Sequence, residues 1–554
     1  MNAVAVIAAV WLKRAVALLR SIGPYAAIEI LLPGGTLIAL LLWLSRQGAF
    51  TTFVERGQQP AAIAGLQIDA SDAPASARTI GSPRAGTLVC GFMKYARSKW
   101  LLPALALSCA GVAAADVPLQ SCELPGVKRA AKCGVIEVPE NPDKPSGRRL
   151  QLGVAIVPAE NRAGHDDPIV PLMGGPGEDA ISAAEYFVTT HAAIVRDRDL
   201  LLIDQRGTGK SNALRCKLYD PQNATTSLRD LFPAEAVQRC AQDLSSRADV
   251  TQYTYPNAAR DLEHARRALG YGKLNLTAGS YGTRAAQVFL RMYPQSVRTI
   301  YLGSVIPLDV TTPLTMAKTA EAARNKTFDA CTADAACRAA FPQLRQEFAE
   351  IVQQLDSGKT PFARGRVMEW FRSLTYRPYS ATDLPWLIHQ AHSGNWKPIE
   401  QGIKGNAAGA DAALSLGLLF SITCNDDVAF IKEEDIARES KDTFLRDYRV
   451  RQQQAACRQW PKGSTPPNRT PVESVVPTLF VSGDSDAATP LWYTQRVAAG
   501  FSQRAEIVVG NQGHTEWSDC VARYYEQLVR DGSVRNLRGA KCEAVPRPPF
   551  KTAS

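Results

Sequence analysis

Between residues 116 and 310 the chain alternates short apolar runs with stretches of helical spacing. Leu150 to Val157, Pro168 to Met173, Leu200 to Asp204, Lys273 to Ala278 and Arg298 to Gly303 are rich in Val, Ile or Leu. Most end at a glycine or a polar turn, as buried strands do. Between the third and fourth runs, Ala258 to Leu269 (AARDLEHARRAL) repeats its apolar positions with a helical period. Strands alternating with helices predict a mainly parallel sheet covered on both faces.

The pattern changes from about residue 311 to 465. This part is rich in Ala, Gln, Arg and Leu, as in Phe341 to Leu355 (FPQLRQEFAEIVQQL), and contains no convincing strand run. It predicts an inserted helical domain, closed by the proline-rich boundary Pro461 to Val472. Strand patterns resume at Pro477 to Ser482 and at Ala505 to Val509. A sheet begun over 116–310, interrupted over 311–465 and completed over 466–554 is a capped α/β architecture. No internal repeat accompanies it.

The first 115 residues follow different rules. Residues 93–115 (MKYARSKWLLPALALSCAGVAAA) have a charged n-region at Lys94, Arg97 and Lys99, an apolar h-region from Trp100 to Val112, and small residues at Ala113-Ala114-Ala115. That is a secretory signal pattern, and the lipobox before Cys109 is poor. Upstream, Tyr25 to Ser45 is apolar enough to span a membrane, with one charge at Glu29 and a Pro-Gly-Gly break. Residues 1–92 are then either a membrane-anchored extension or translation from an early start codon. The second reading is favoured, because a complete signal peptide has little use in mid-chain. Either way the folded part is expected outside the cytoplasm, in the periplasm or secreted.

Composition narrows the class. The 554 residues are 45% hydrophobic and 21% charged, which is globular, and the net charge of +10 comes without a basic run interleaved with aromatics. Nucleic acid is therefore not an expected partner. Of 12 cysteines, Cys90 and Cys109 precede the cleavage point. The other ten fall as near neighbours: Cys122/Cys133, Cys216/Cys240, Cys331/Cys337, Cys424/Cys457 and Cys520/Cys542. Five sequential disulfides are the simplest pairing for an oxidising compartment, although spacing alone does not fix connectivity. There is no CxxC, and His389/His392 is a lone HxxH without a third ligand in view, so no metal and no cofactor is expected.

The chemistry concentrates at strand ends. In Leu274-Asn-Leu-Thr-Ala-Gly-Ser-Tyr-Gly-Thr283 a strand meets a helix at Ser280. This is a nucleophile elbow, G-x-S-x-G, with Ala278 in place of the first glycine, a one-methyl departure. Elbow enzymes follow the order Ser, acid, His. Among histidines after Ser280, His389 and His392 lie in the helical insert, whereas His514 directly follows the Ala505 to Val509 strand. Asp486 follows the preceding strand, with Asp484 as its neighbouring competitor. Open α/β sheets place their chemistry on such loops. An oxyanion hole is expected from the backbone N–H of Tyr281 and an N–H of Met173-Gly-Gly-Pro-Gly177, at Gly175 first and Gly174 second. Asp204-Gln-Arg-Gly-Thr-Gly-Lys-Ser211 ends like a phosphate-binding loop, but Asp204 stands where a Walker A loop requires glycine. Nucleotide binding is excluded on that ground.

Together MGGPG, DQRGTGKS, DLEHARRALGYGKLNLTAGSYGTR, GDSDAATP and GNQGH resemble the proline iminopeptidase and tripeptidyl aminopeptidase family of serine exopeptidases over roughly residues 120 to 530. The resemblance implies an α/β-hydrolase fold with a helical cap, Ser280 as nucleophile, Asp486 as acid and His514 as base. The chain departs from the family's HGGPG at Met173, and has Glu178 and Asp179 where small residues are usual. Family exopeptidases hold the substrate's free α-amino group with acids on the cap. Asp426 and Asp427, beside Cys424, are the expected counterparts here, with Glu178 as a further acidic candidate. The expected partner is a peptide with a free N-terminus. A carboxylesterase or lipase-type hydrolase on the same scaffold is the alternative, because a triad does not fix the substrate.

Overall fold

The computed structural model describes residues 117–161, 164–219, 225–463 and 465–552. The apolar segment at 25–45 and the signal pattern at 93–115 lie outside these residues. One nine-stranded sheet organises the described chain: β1 (Gln120–Cys122), β2 (Ala131–Pro139), β3 (Arg149–Val157), β4 (Ile169–Leu172), β5 (Leu200–Ile203), β6 (Leu274–Gly279), β7 (Val297–Gly303), β8 (Thr478–Gly483) and β9 (Arg504–Val509). The spatial order is β1-β2-β3-β5-β4-β6-β7-β8-β9. β1, β2, β3 and β5 pair antiparallel, and every pair from β5 through β4 to β9 is parallel.

Burial explains which strands were legible. β6 is buried at its first five positions and β8 at all six, so both read as continuous apolar runs. β9, at the edge, alternates exposed Arg504, Glu506 and Val508 with buried Ala505, Ile507 and Val509. β1 and β2 are absent from the sequence reading. β1 has three residues, and β2 (AKCGVIEVP) mixes Lys, Gly, Glu and Pro into a partly exposed antiparallel strand.

The helices used below are α1 (Tyr255–Ala268), α2 (Gly282–Met292), α3 (Thr312–Ala333), α4 (Leu344–Asp356), α5 (Arg364–Leu374), α6 (Leu384–His392), α7 (Leu416–Asp426), α8 (Tyr448–Gln459) and α9 (Asp519–Asp531). α1 starts where the Thr254 side chain caps the Asn257 N–H and Pro256 occupies the first turn. The pleat divides the apolar side chains between two layers. Leu276, Ile300, Leu302 and Phe480 pack on one face with Leu262 and Phe289 of α1 and α2. Tyr301, Leu479, Val481 and Ile507 pack on the other with Tyr525 and Leu528 of α9. A third core, containing Phe328, Phe348, Ile351, Val367, Phe371 and Ile388, belongs to helices between β7 and β8. Among the described residues no strand interrupts these helices.

Disulfides join Cys122–Cys133, Cys216–Cys240, Cys331–Cys337, Cys424–Cys457 and Cys520–Cys542. Among the described residues no single helix is long and apolar enough to cross a membrane. His389 and His392 on α6 face separate carboxylates on α4, Glu347 at 3.1 Å and Glu350 at 2.6 Å. The DQRGTGKS loop is a structural turn. Buried Asp204 accepts the N–H groups of Ala180, Ile181 and Lys210, and buried Arg206 makes a two-pronged bond to Asp261 at 2.6 and 2.8 Å.

Candidate active site

Ser280 is the first of the two residues between β6 and α2, with a left-handed φ of 53°. A non-glycine residue there is strained unless its surroundings hold it. Its N–H donates to the Gly303 carbonyl at 3.2 Å, and its carbonyl accepts the Thr283 N–H at 3.0 Å and the Thr283 hydroxyl at 2.6 Å. Gly282 permits the tight approach: a Cβ there would lie 2.0 Å from the Leu172 carbonyl oxygen. Ala278 needs no such space. It sits in register between Leu172 of β4 and Leu302 of β7, buried at 3% exposure. The departure from glycine therefore places one methyl among apolar neighbours. The N-terminus of α2 just beyond Ser280 favours developing negative charge nearby.

His514 follows β9 and Asp486 follows β8. The His514 ring presents Nδ1 to the Asp486 carboxylate, 2.9 Å from Oδ2 and 3.1 Å from Oδ1. A carboxylate is an acceptor, so the neutral ring carries its proton on Nδ1 and leaves Nε2 as a base. The His514 N–H donates to the Tyr376 carbonyl at 2.7 Å, fixing the loop against the helical region. Asp486 is held equally firmly. The Ala488 and Thr489 N–H groups each donate to Oδ1 at 2.8 Å, and the Thr489 hydroxyl donates to Oδ2 at 2.6 Å. Burial alone would raise this carboxyl's pKa, but His514 and the Thr489 donors outweigh it and hold Asp486 below the usual carboxylate range. Its competitor Asp484 is bound elsewhere, 3.1 Å from Lys326 and accepting the Asn511 N–H at 2.7 Å.

Ser280 and His514 line one cavity of about 480 Å³. Gly174, Gly175, Pro176 and Tyr281 form part of its wall, so the glycine loop and the residue after the elbow serine meet there. Gly175 has φ +104°, a conformation suited to glycine. Of the two oxyanion candidates on this loop, the Gly174 N–H is engaged by Glu178 Oε2 at 3.2 Å, which favours Gly175. Tyr186, Phe187, Tyr301 and Trp517 supply an aromatic side, and Tyr376, Arg377 and Arg449 enter from the helical region. Thr489, Arg377, Arg449 and these aromatics escaped the sequence reading. Only Thr489 had a local signal, an Asp-x-x-Thr turn in which the hydroxyl reaches back to the carboxylate. The others come together from distant elements.

The cap acids need correction. Neither Asp426 nor Asp427 is among the residues lining the cavity. Asp427 is fully buried and saturated: it bonds both terminal nitrogens of Arg284 at 3.1–3.2 Å, the Tyr281 hydroxyl at 3.1 Å and the Thr312 N–H at 3.1 Å. It ties the end of α7 to the first turn of α2, and its oxygens have no room for a substrate ammonium. For Asp426, burial together with Asp427 pushes the pKa up to about 7. Glu178, by contrast, lines the cavity.

Two family models match the chain: alpha/beta hydrolase fold over residues 167–381 and TAP-like protein over residues 442–542. A tripeptidyl aminopeptidase of Streptomyces coelicolor is 29% identical over 219 residues, covering 36% of this chain. The match spans only 40% of that relative's length. The serine protease Hip1 of Mycobacterium tuberculosis is 27% identical over 76% of this chain and 88% of its own. A proline iminopeptidase of Aspergillus aculeatus is 26% identical over 30% of this chain and 35% of its own. The chain has the α/β-hydrolase fold and is related to these peptidases.

Proposed function

We propose that this protein is an exported serine aminopeptidase acting on peptides with a free N-terminus. The observation that carries the reading is the meeting of a left-handed elbow serine with a His514–Asp486 pair at one cavity. Ser280 Oγ attacks the scissile carbonyl while His514 Nε2 takes its proton. Asp486 keeps the imidazole oriented and stabilises the imidazolium. The negative oxygen of the tetrahedral intermediate receives the N–H groups of Gly175 and Tyr281, an arrangement in which one donor is worth about 10²–10³ in rate. His514 then protonates the departing amine, and a water activated by the same nitrogen releases the acyl group from Ser280.

Relatives named for aminopeptidase and protease activity support the peptide substrate. Five disulfides and the signal pattern at 93–115 support export. The test compares unblocked aminoacyl and peptidyl anilides with their N-acylated forms, alongside simple esters. Loss of cleavage on acylation, loss of hydrolysis in Ser280→Ala and fluorophosphonate labelling of Ser280 are expected. Equal turnover of blocked anilides, or turnover of esters alone, would point to an esterase instead.

A further inference from the structure

Two arginines line the cavity beside Ser280, and they differ in what balances their charge. Arg449 is paired with Glu369 at 2.8 Å. Arg377 is half-buried and makes no ion pair among the described residues. The carboxylates that face it are Glu178 and Glu516. Both lie beyond ion-pair distance and are bound to backbone instead. Glu178 accepts the Gly174 N–H at 3.2 Å, and Glu516 accepts the Gly513 N–H at 2.5 Å. A guanidinium partly withdrawn from water, with no direct counter-charge, suits a planar two-oxygen anion, which it binds through two parallel N–H donors.

The backbone decides which part of a substrate meets this arginine. Arg377 follows Tyr376, whose carbonyl accepts the His514 N–H at 2.7 Å. The Tyr376 and His514 rings lie 5.3 Å apart. A Cβ built on Gly513 would come within 2.7 Å of the Arg377 Cα. Arg377 therefore flanks the base. In acyl transfer the base hands its proton to the departing amine, so that nitrogen must come within hydrogen-bond reach of His514 Nε2. The residue that leaves with the amine is thereby placed on the His514 side of the cavity. On that residue the carbon of an α-carboxylate is two bonds from the nitrogen, about 2.5 Å away. Such a carboxylate, or one on the same residue's side chain, is carried to the Arg377 wall. A carboxylate on the acyl portion lies across the scissile bond from it.

Resting on the peptidase reading above, we propose that Arg377 binds a carboxylate on the residue that leaves with the amine. That carboxylate is the C-terminus of a peptide cut next to its last residue, or an acidic side chain just beyond the cut. Arg377 is then a specificity-determining residue for the departing side of the substrate, a side on which anilides carry no carboxylate at all.

The test uses the full exported protein, with rates expressed per fluorophosphonate-titrated serine. Single-residue and tripeptidyl anilides first identify the acyl group that is released. Two pairs of peptides carrying that group are then compared. In the first pair the residue beyond the cut is alanine, as free acid or as amide. In the second it is aspartate amide or asparagine amide. The first pair reports on a C-terminal carboxylate and the second on an acidic side chain. Wild type should cleave the carboxylate member of at least one pair about 10- to 100-fold faster in kcat/KM. Arg377→Met should bring the two members of that pair together. Arg377→Lys, which keeps the charge without the two-pronged geometry, should retain part of the preference. The readout is a ratio between two substrates on one enzyme, so general damage to the site, which slows both alike, does not imitate it. Equal rates within both pairs in wild type, or a preference that survives in Arg377→Met, would overturn the proposal and leave the serine-peptidase reading intact. Absence of cleavage of every anilide and peptide would overturn both.

Discussion

Asp486 has four donors for two oxygens, and that arrangement gives the residue scale its first prediction. Asp486→Asn keeps the shape but puts an amide where His514 Nδ1–H needs an acceptor, so the wrong nitrogen carries the proton. A fall in kcat of about 10⁴ is expected, as for tautomer errors in other triads, with folding retained by circular dichroism. Ala278→Gly should move activity modestly, because the methyl it removes lies on the buried side of the elbow. Asp426 gives a pH prediction with a definite sign. Its folded pKa of about 7 lies above the unfolded value of about 3.9. Between these values the folded protein holds a proton that the unfolded chain has released, so stability falls as pH rises through that window. Asp426→Asn should match wild type in urea unfolding at pH 4 and exceed it by about 1–3 kcal/mol at pH 8. A difference that is constant with pH would count against the raised pKa. Ser280, Asp486 and His514 could be singled out in the sequence because each directly follows a strand run. Asp427 was misread because acid-rich loops look alike until the buried arginine opposite is known.

At the scale of elements, the bond between Arg284 on α2 and Asp427 at the end of α7 links the elbow helix to the helical region. Both side chains are essentially without solvent, at 1% and 0% exposure. Arg284 also donates to the Pro307 and Val310 carbonyls. Tyr281, whose N–H is the proposed oxyanion donor, hydroxyl-bonds the same carboxylate. The ion pair therefore fixes the residue after Ser280 as well as the end of α7. Breaking one side strands the other: Arg284→Met should cost about 3–5 kcal/mol in chemical unfolding and lower kcat with it. Replacing both by apolar residues should recover part of the stability, because the unpaired charge is gone. Among strands, the seven with apolar runs were readable. β1 and β2 were not, because short or half-exposed antiparallel strands carry polar residues that weaken the pattern. The aromatic wall was invisible for another reason. Its members follow β4, lie in β7 and follow β9, so only the closed sheet brings them together.

At the scale of the whole molecule, the disulfides are distributed over the sheet edge, the segment between β5 and β6, the helical region and the C-terminal segment, and each closes a local loop. Cys424–Cys457 joins α7 to α8 across a separation of 33 residues, next to the Arg284–Asp427 tie. Cys331–Cys337 closes only 6, at the end of α3. In the chain-entropy picture the longer loop restricts the unfolded state more, by about 3–4 kcal/mol against about 2 kcal/mol. Replacing Cys424 and Cys457 by serine should therefore lower the unfolding midpoint more than the same change at Cys331 and Cys337. It should also depress activity, because α7 carries both the Asp427 tie and two residues of the cavity wall, Leu419 and Thr423. The same logic applies to the compartment. Protein recovered from an oxidising compartment should show no free thiol among residues 116–554 when alkylated in denaturant before reduction. Protein made in a reducing cytoplasm should be alkylated at all ten cysteines, unfold at lower denaturant and hydrolyse anilides more slowly. Equal stability of the reduced and oxidised forms would show that the sheet and helical cores hold the cavity without their covalent ties, and would remove the disulfides as support for export.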